Sequence, residues 1–219
     1  MSAGKISALL LLLLAVIGSH AAPNPSECEG LTKRLKTKDL NKIFRNWVLV
    51  WSVSDHEQGD ELLSNISSSH VEFRPFPETK TFSYIERNVY NQNLSSCTTY
   101  FMNVTVPSDN DEIQTLRVDN IRLEVDGQPE EYNDTGAVDF CESCPNCLMI
   151  VYKTSTVRFL LNYKEEGLHR NVELDKASHD DHKKLADCLG FPDKKPYVYD
   201  GVADFCHRKS APEGRLERP

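Results

Sequence analysis

The chain has no apolar run long enough to span a bilayer: the one near its start is too short and nothing later reaches 18 residues, so no stable membrane insertion is expected. Basic charge is scarce as well. There are 25 Lys+Arg against 33 Asp+Glu, and the densest basic cluster is Lys33-Arg34-Leu35-Lys36, which reads as a solvated surface. A nucleic-acid partner is therefore not expected, because nothing concentrates enough cations to neutralise a row of phosphates. The chain has no G-x-S-x-G, no H-E-x-x-H and no nucleophile–base pair, so the enzyme classes those motifs mark have no support. There is no internal repeat and no low-complexity linker. No cofactor, no metal and no catalytic residue is expected.

What is present begins with a secretory leader. Lys5 supplies a basic start, Ala8 to Ile17 is unbroken apolar sequence, and Ser19-His20-Ala21 offers small residues for cleavage. Residues 1–21 read as a signal peptide, which places the mature protein outside the cell. Roughly 198 residues then remain, enough for one domain with a real core. Four triplets are acceptors for N-glycosylation, headed by Asn65, Asn93, Asn103 and Asn133, and each would mark a solvent-facing position.

Strand patterns dominate the mature chain. Phe44 to Val53 has seven aromatic or aliphatic residues in ten, uninterrupted by Gly or Pro. One short helical turn, Thr37 to Ile43, leads into it. Asp55 to Ser64, charged and without periodicity, reads as a loop. Alternating or strongly β-forming segments follow at His70–Arg74, Lys80–Arg87, Thr98–Val106, Ile113–Val125, Gly136–Phe140, Cys147–Tyr152 and Val157–Tyr163. A change of parity near Asp119-Asn120 points to a bulge or a tight turn. Eight strands with short connections are the number at which an antiparallel up-and-down barrel closes around one small ligand. One late helix is expected, capped by Asp175, with Ala177, Asp181, Leu185 and Cys188 on one stripe, and stopped by Gly190 and Pro192. Residues 207–219 are charged and patternless, and read as a disordered C-terminal tail.

Seven cysteines lie beyond the leader, an odd number for an oxidising compartment. Spacing leaves their connectivity open, although the entropic account favours long ties, at roughly 4–5 kcal/mol for a loop of about 100 residues. Cys141, Cys144 and Cys147 invite a zinc reading or a thiol-exchange reading. The strand former after Cys147 lacks the helix N-terminus that exchange chemistry uses, so a local disulfide with one cysteine left over is preferred. His179 and His182, separated by two aspartates, are a metal-like spacing that is more often a solvated helix face.

The chain resembles the lipocalins. The resemblance rests on the Trp47 strand after a helical turn, the eight predicted strands, and the late helix ending in Cys188. Within that family it is similar to the alpha-1-acid glycoprotein (orosomucoid) branch and its fish relatives that bind saxitoxin and tetrodotoxin or organotin compounds. The segments that carry this are Trp47–Trp51, Ser96–Tyr100, Ala186–Leu189 and Tyr197–Asp200 leading to Cys206. The resemblance implies an all-β eight-stranded barrel over residues 22–206 with one C-terminal helix packed outside. It also implies the bridges Cys28–Cys188 and Cys97–Cys206, with a third possible within Cys141, Cys144 and Cys147. Two family motifs are altered: Arg45 stands at the glycine of Gly-x-Trp, and Cys141 to Cys147 replaces Thr-Asp-Tyr.

If Trp47 points inward, alternation sends Leu49, Trp51 and Val53 inward too. A glycan on Asn103 would turn Tyr100, Met102 and Val104 inward. The same logic nominates Phe73, Phe82, Tyr84, Ile150, Tyr152, Phe159, Leu161 and Tyr163. The ligand-binding residues expected are Leu49, Trp51, Phe73, Phe82, Tyr84, Tyr100, Met102, Tyr152 and Phe159, while the parity of Glu72, Glu86 and Arg87 is left open. The function expected is a secreted glycoprotein that carries or sequesters a small lipophilic or cationic ligand, such as a toxin or xenobiotic. A monomer is expected, with a disulfide-linked dimer open to it through the odd cysteine. The alternatives are a lipocalin-type enzyme using a barrel thiol for isomerase or redox chemistry, and a glycan-dependent immune modulator.

Overall fold

The computed structural model describes residues 25–77, 79–107, 115–141, 143–170 and 178–206. The leader 1–21, the tail 207–219, and Asp175 and Ala177 of the late helix lie outside the described residues. The chain forms α1 (Pro25–Cys28), a 3-10 segment (Thr37–Ile43), β1 (Asn46–Ser54), α2 (Glu57–Asn65), β2 (Ile66–Pro75), β3 (Thr81–Tyr90) and β4 (Asn93–Thr105). Then follow β5 (Leu116–Val125), β6 (Gln128–Glu130), β7 (Gly136–Cys141), β8 (Cys147–Lys153), β9 (Arg158–Glu165), α3 (His179–Cys188) and β10 (Tyr197–Val198).

All strand pairings are antiparallel. The order is β1-β2-β3-β4-β5-β7-β8-β9, and β9 returns to β1, so eight strands close into a barrel with no free edge between them. Two short strands escape the sequence pattern because each is too short to alternate: β6 folds back on β5, and β10 lies against Trp51 and Ser52. The expected irregularity near Asp119-Asn120 is a bulge. Asn103 pairs with Asp119 and Phe101 with Arg122, which leaves one extra residue on β5, and Asn120 takes φ 51° there.

The 3-10 segment closes one end of the barrel. It buries Leu40 and Ile43, and the Trp47 indole donates to the Ile43 carbonyl at 2.8 Å. Above it Phe73 meets Phe82 and Phe140 with ring centroids 6.0 and 5.5 Å apart, a packed floor of T-shaped contacts. Arg45, at the family's glycine position, reaches across to Glu165 at the end of β9 at 2.7 Å.

Two sequence expectations are corrected. The stretch 55–64 is a helix for most of its length. Ser54 Oγ donates to Asp60, the His56 imidazole accepts from the Gln58 amide at 3.2 Å, and Glu57 and Asp60 sit in the first turn where the helix dipole favours them. Its apolar face is only Leu62, Leu63 and the close-packed Gly59, too few residues to register as periodicity in a charged segment. The second correction is Trp51. Leu49 pairs with Tyr163 but Trp51 with Asn162, so two steps along β1 match one along β9. This shift inverts the alternation. Trp51 and Val53 face outward and pack with Met149, Val151, Leu160, Leu185, Ala186 and Phe191 beneath α3. The helix stops as expected: Gly190 takes φ 72° while the amides of Gly190 and Phe191 bond back to Asp187 and Ala186.

Candidate functional site

The open end of the barrel holds a cavity of about 100 Å³, room for several waters where one needs roughly 10–15 Å³. Its walls come from eight of the described elements. Glu86, Asn88 and Tyr90 descend from β3, Tyr100 and Met102 from β4, and Ile121 from the β5 bulge. Tyr152 comes from β8, and Phe159, Leu161 and Tyr163 from β9, with Leu49 opposite on β1. Leu62 and Leu63 of α2, Ile66 at the start of β2, Tyr132, which follows β6, and Thr154, which follows β8, complete the wall. Gly136 permits this packing. A Cβ there would fall within 2.8 Å of the Tyr152 ring carbon that bears the hydroxyl, so only glycine leaves that ring its place.

Period two explains the β3 contribution. Phe82 and Tyr84 point inward, so Glu86 and Asn88 do too. The Glu86 carboxylate accepts from the Tyr84 hydroxyl at 3.1 Å and from Asn88 Nδ2 at 2.8 Å. Loss of water raises its pKa above the usual carboxylate range, and those two hydrogen bonds oppose the rise. Burial raises Tyr132 to about 12, and Tyr84, Tyr90, Tyr100, Tyr152 and Tyr163 also upward, each further discouraged by neighbouring phenols or Glu86. The tyrosines are thus neutral phenols at physiological pH, and the carboxylate is the group there that can carry charge. No lysine, arginine or histidine is among the described lining residues. Aromatic faces around one acid form a field that favours a cation.

Of the residues nominated from sequence as inward-facing, Leu49, Tyr100, Met102, Tyr152, Phe159, Leu161 and Tyr163 line this cavity. Tyr84 lies just below, tied to Glu86, while Phe73 and Phe82 belong to the packed floor. Trp51 is outside the barrel wall. Asn88, Tyr90, Tyr132, Leu62, Leu63, Ile66, Ile121 and Thr154 went unnominated. Extending the Phe82–Tyr84 alternation would have found Asn88 and decided Glu86, whereas Tyr132 and the α2 leucines had no strand pattern to follow. Glu72 and Arg87 face outward and pair with each other at 3.3 Å.

The cysteines form Cys28–Cys188, Cys97–Cys206 and Cys144–Cys147, leaving Cys141 free. Cys141 is buried beneath the outer cluster around Trp51 rather than in the cavity, and burial with Asp139 nearby pushes its thiol up to about 11. Its thiol neither faces the cavity nor is exposed for bridging two chains. Among the described residues no group of three or more His, Cys, Asp or Glu is arranged to hold a metal, and His182 packs on Trp51 with ring centroids 5.2 Å apart. None of the four sequon asparagines is buried. No helix among the described residues is long and apolar enough to cross a membrane.

No family model matches the chain. It is 41% identical over 212 residues, 96% of its length, to saxitoxin and tetrodotoxin-binding proteins 1 and 2 of Takifugu pardalis. It spans about half, 52%, of the length of each. Among solved structures it superposes on the siderocalin Ex-FABP with a TM-score of 0.50 at 12% identity, covering 72% of this chain and 93% of that one. At that identity the likeness shows the barrel fold alone.

Proposed function

For this chain, a lipocalin by fold and a relative along nearly its whole length of the pufferfish saxitoxin and tetrodotoxin-binding proteins, we propose reversible sequestration of a small organic cation. The protein is read as a secreted glycoprotein that binds without turnover. The observation that carries the reading is Glu86, an acid in a tyrosine-walled cavity with no basic residue among its described lining. A delocalised cation such as a guanidinium stacks on phenol rings and finds its counter-charge at the carboxylate, and both interactions strengthen as water leaves. Both toxins named for the relatives carry guanidinium groups, which makes them suitable first ligands. Leu62 and Leu63 of α2 form part of the wall that such a molecule would contact.

Isothermal titration calorimetry of the purified protein with saxitoxin, tetrodotoxin and an uncharged lipophile of similar size tests this. A toxin is expected to bind, and Glu86→Gln to weaken it by about tenfold or more while leaving the uncharged molecule unaffected. Equal binding of cation and neutral molecule, with Glu86→Gln indifferent to both, would remove the charge argument.

A further inference from the structure

The outer wall of the barrel carries a second groove, across β3, β4 and β5, which meets the cavity lining only at Met102 and Ile121. Its apolar floor includes Ile85 and Phe101, with Phe76, 41% exposed, at one end. The Arg122 guanidinium lies 4.3 Å over the Phe101 ring. Such a floor of aromatic and aliphatic groups beside a guanidinium suits an amphipathic group lying along it.

Asn103 stands in this groove. It points outward from β4 between Ser83 on β3 and Asp119 on β5, and it heads the sequon Asn103-Val104-Thr105, whose threonine is exposed. No hydrogen bond from its amide is found among the described residues. Two of the other sequon asparagines are held by local structure. Asn65 Nδ2 donates to the Glu61 carbonyl at 3.0 Å, and Asn93 Oδ1 accepts from Ser95. Asn103 is thus an attachment point with a free amide set against apolar side chains, with Ser83 as a small neighbour.

We propose that an N-glycan on Asn103 is a structural part of the barrel wall, its first sugars lying along the groove over Phe101, Ile85 and Phe76. Sugar rings suit such a floor. Their C–H faces pack on aromatic and aliphatic groups, while their hydroxyls face water and the guanidinium of Arg122 at the rim. The occupant is already tethered by the sequon, so covering the groove needs no second protein. The inference rests on the secretion part of the proposed function, because only a chain entering the secretory pathway receives this modification.

The test is expression of the full chain in a secreting eukaryotic cell line, with glycopeptide mass spectrometry at all four sequons. Thermal unfolding and binding of an apolar fluorescent dye are then compared for the parent, Thr105→Ala, Asn103→Gln and the control Ser95→Ala. Trimming the folded parent enzymatically to a single N-acetylglucosamine supplies a comparison that needs no refolding. Asn103 is expected to be occupied. Both variants lacking its glycan should bind several-fold more dye and unfold about 2–4 °C lower, with Ser95→Ala unchanged. The trimmed parent should keep most of the protection. Asn103 bare while other sequons are occupied, or Thr105→Ala and Asn103→Gln matching the parent in dye binding and melting, overturns the proposal alone. A secreted chain bare at all four sequons overturns it and the glycoprotein reading together. Retention of the chain inside the cell removes the secretion reading on which both depend.

Discussion

A single carboxylate carries most of the chemistry at the residue scale. Burial holds the Glu86 pKa above the usual carboxylate range, so the folded protein binds that proton more tightly than the unfolded chain does. Glu86 therefore favours the fold below its unfolded pKa, and that contribution is lost as pH rises through the folded value. Glu86→Gln, neutral throughout, should melt higher than the unliganded parent at about pH 7.5 and approach it near pH 4. Asn88 Oδ1, buried without a partner among the described residues, is placed to accept from the new amide if the Asn88 side chain turns. Cation affinity should move the other way, rising with pH in the parent and staying flat in the variant. Differential scanning fluorimetry with and without ligand reads both. A variant less stable than the parent at neutral pH would show that the carboxylate is stabilising there.

At the scale of elements, α3 depends on a neutral histidine. Burial, with His179 and Lys164 adding to it and Asp181 opposing, lowers His182 to about 4. A folded pKa below the unfolded value means that docking of α3 is fully favourable above about pH 6.5 and weakens as pH falls toward 4, by on the order of 2–3 kcal/mol. His182→Phe should shift the acid unfolding midpoint downward, with Trp51 fluorescence as the local reporter because the two rings are in contact. Identical acid profiles would show that α3 does not respond through His182. The same geometry makes Trp51 a stability residue. Trp51→Phe is expected to leave cavity binding intact, and loss of ligand affinity in that variant would contradict the outward placement.

For the whole molecule, the disulfides differ by what they span. Cys28–Cys188 and Cys97–Cys206 have separations of 160 and 109 residues, against 3 for Cys144–Cys147. The first fastens α1 to the end of α3, and the second ties the C-terminal segment to β4. Chain entropy assigns about 5 kcal/mol to each long tie and about 2 kcal/mol to the short one. Denaturant titration should therefore find a loss of about 3–5 kcal/mol in Cys28→Ser/Cys188→Ser and in Cys97→Ser/Cys206→Ser, and clearly less in Cys144→Ser/Cys147→Ser. Equal losses for all three pairs would show that local geometry outweighs loop length.

Much of the barrel was legible from local pattern, because a strand's alternation between core and solvent is written residue by residue. Phe82–Tyr84, Tyr100–Met102 and Phe159–Leu161–Tyr163 declare their inner faces in this way, and even the bulge at Asn120 left its mark as a change of parity. Three features depended on partners distant in the chain. The inversion at Trp51 arises from a register shift against β9, about 110 residues away, so nothing within Phe44–Val53 signals it. Helix α2 gains its stability by docking on the barrel, where Gly59 packs close to Val157 and Asp60 pairs with Lys194, rather than from its own composition. Glu86 looked like any strand carboxylate until closure of β9 on β1 surrounded it with tyrosines from β3, β4 and β8. Periodicity reports which face a strand buries. Only closure of the barrel decides what that face encloses, because a cavity's charge is the sum of walls brought together from all parts of the chain.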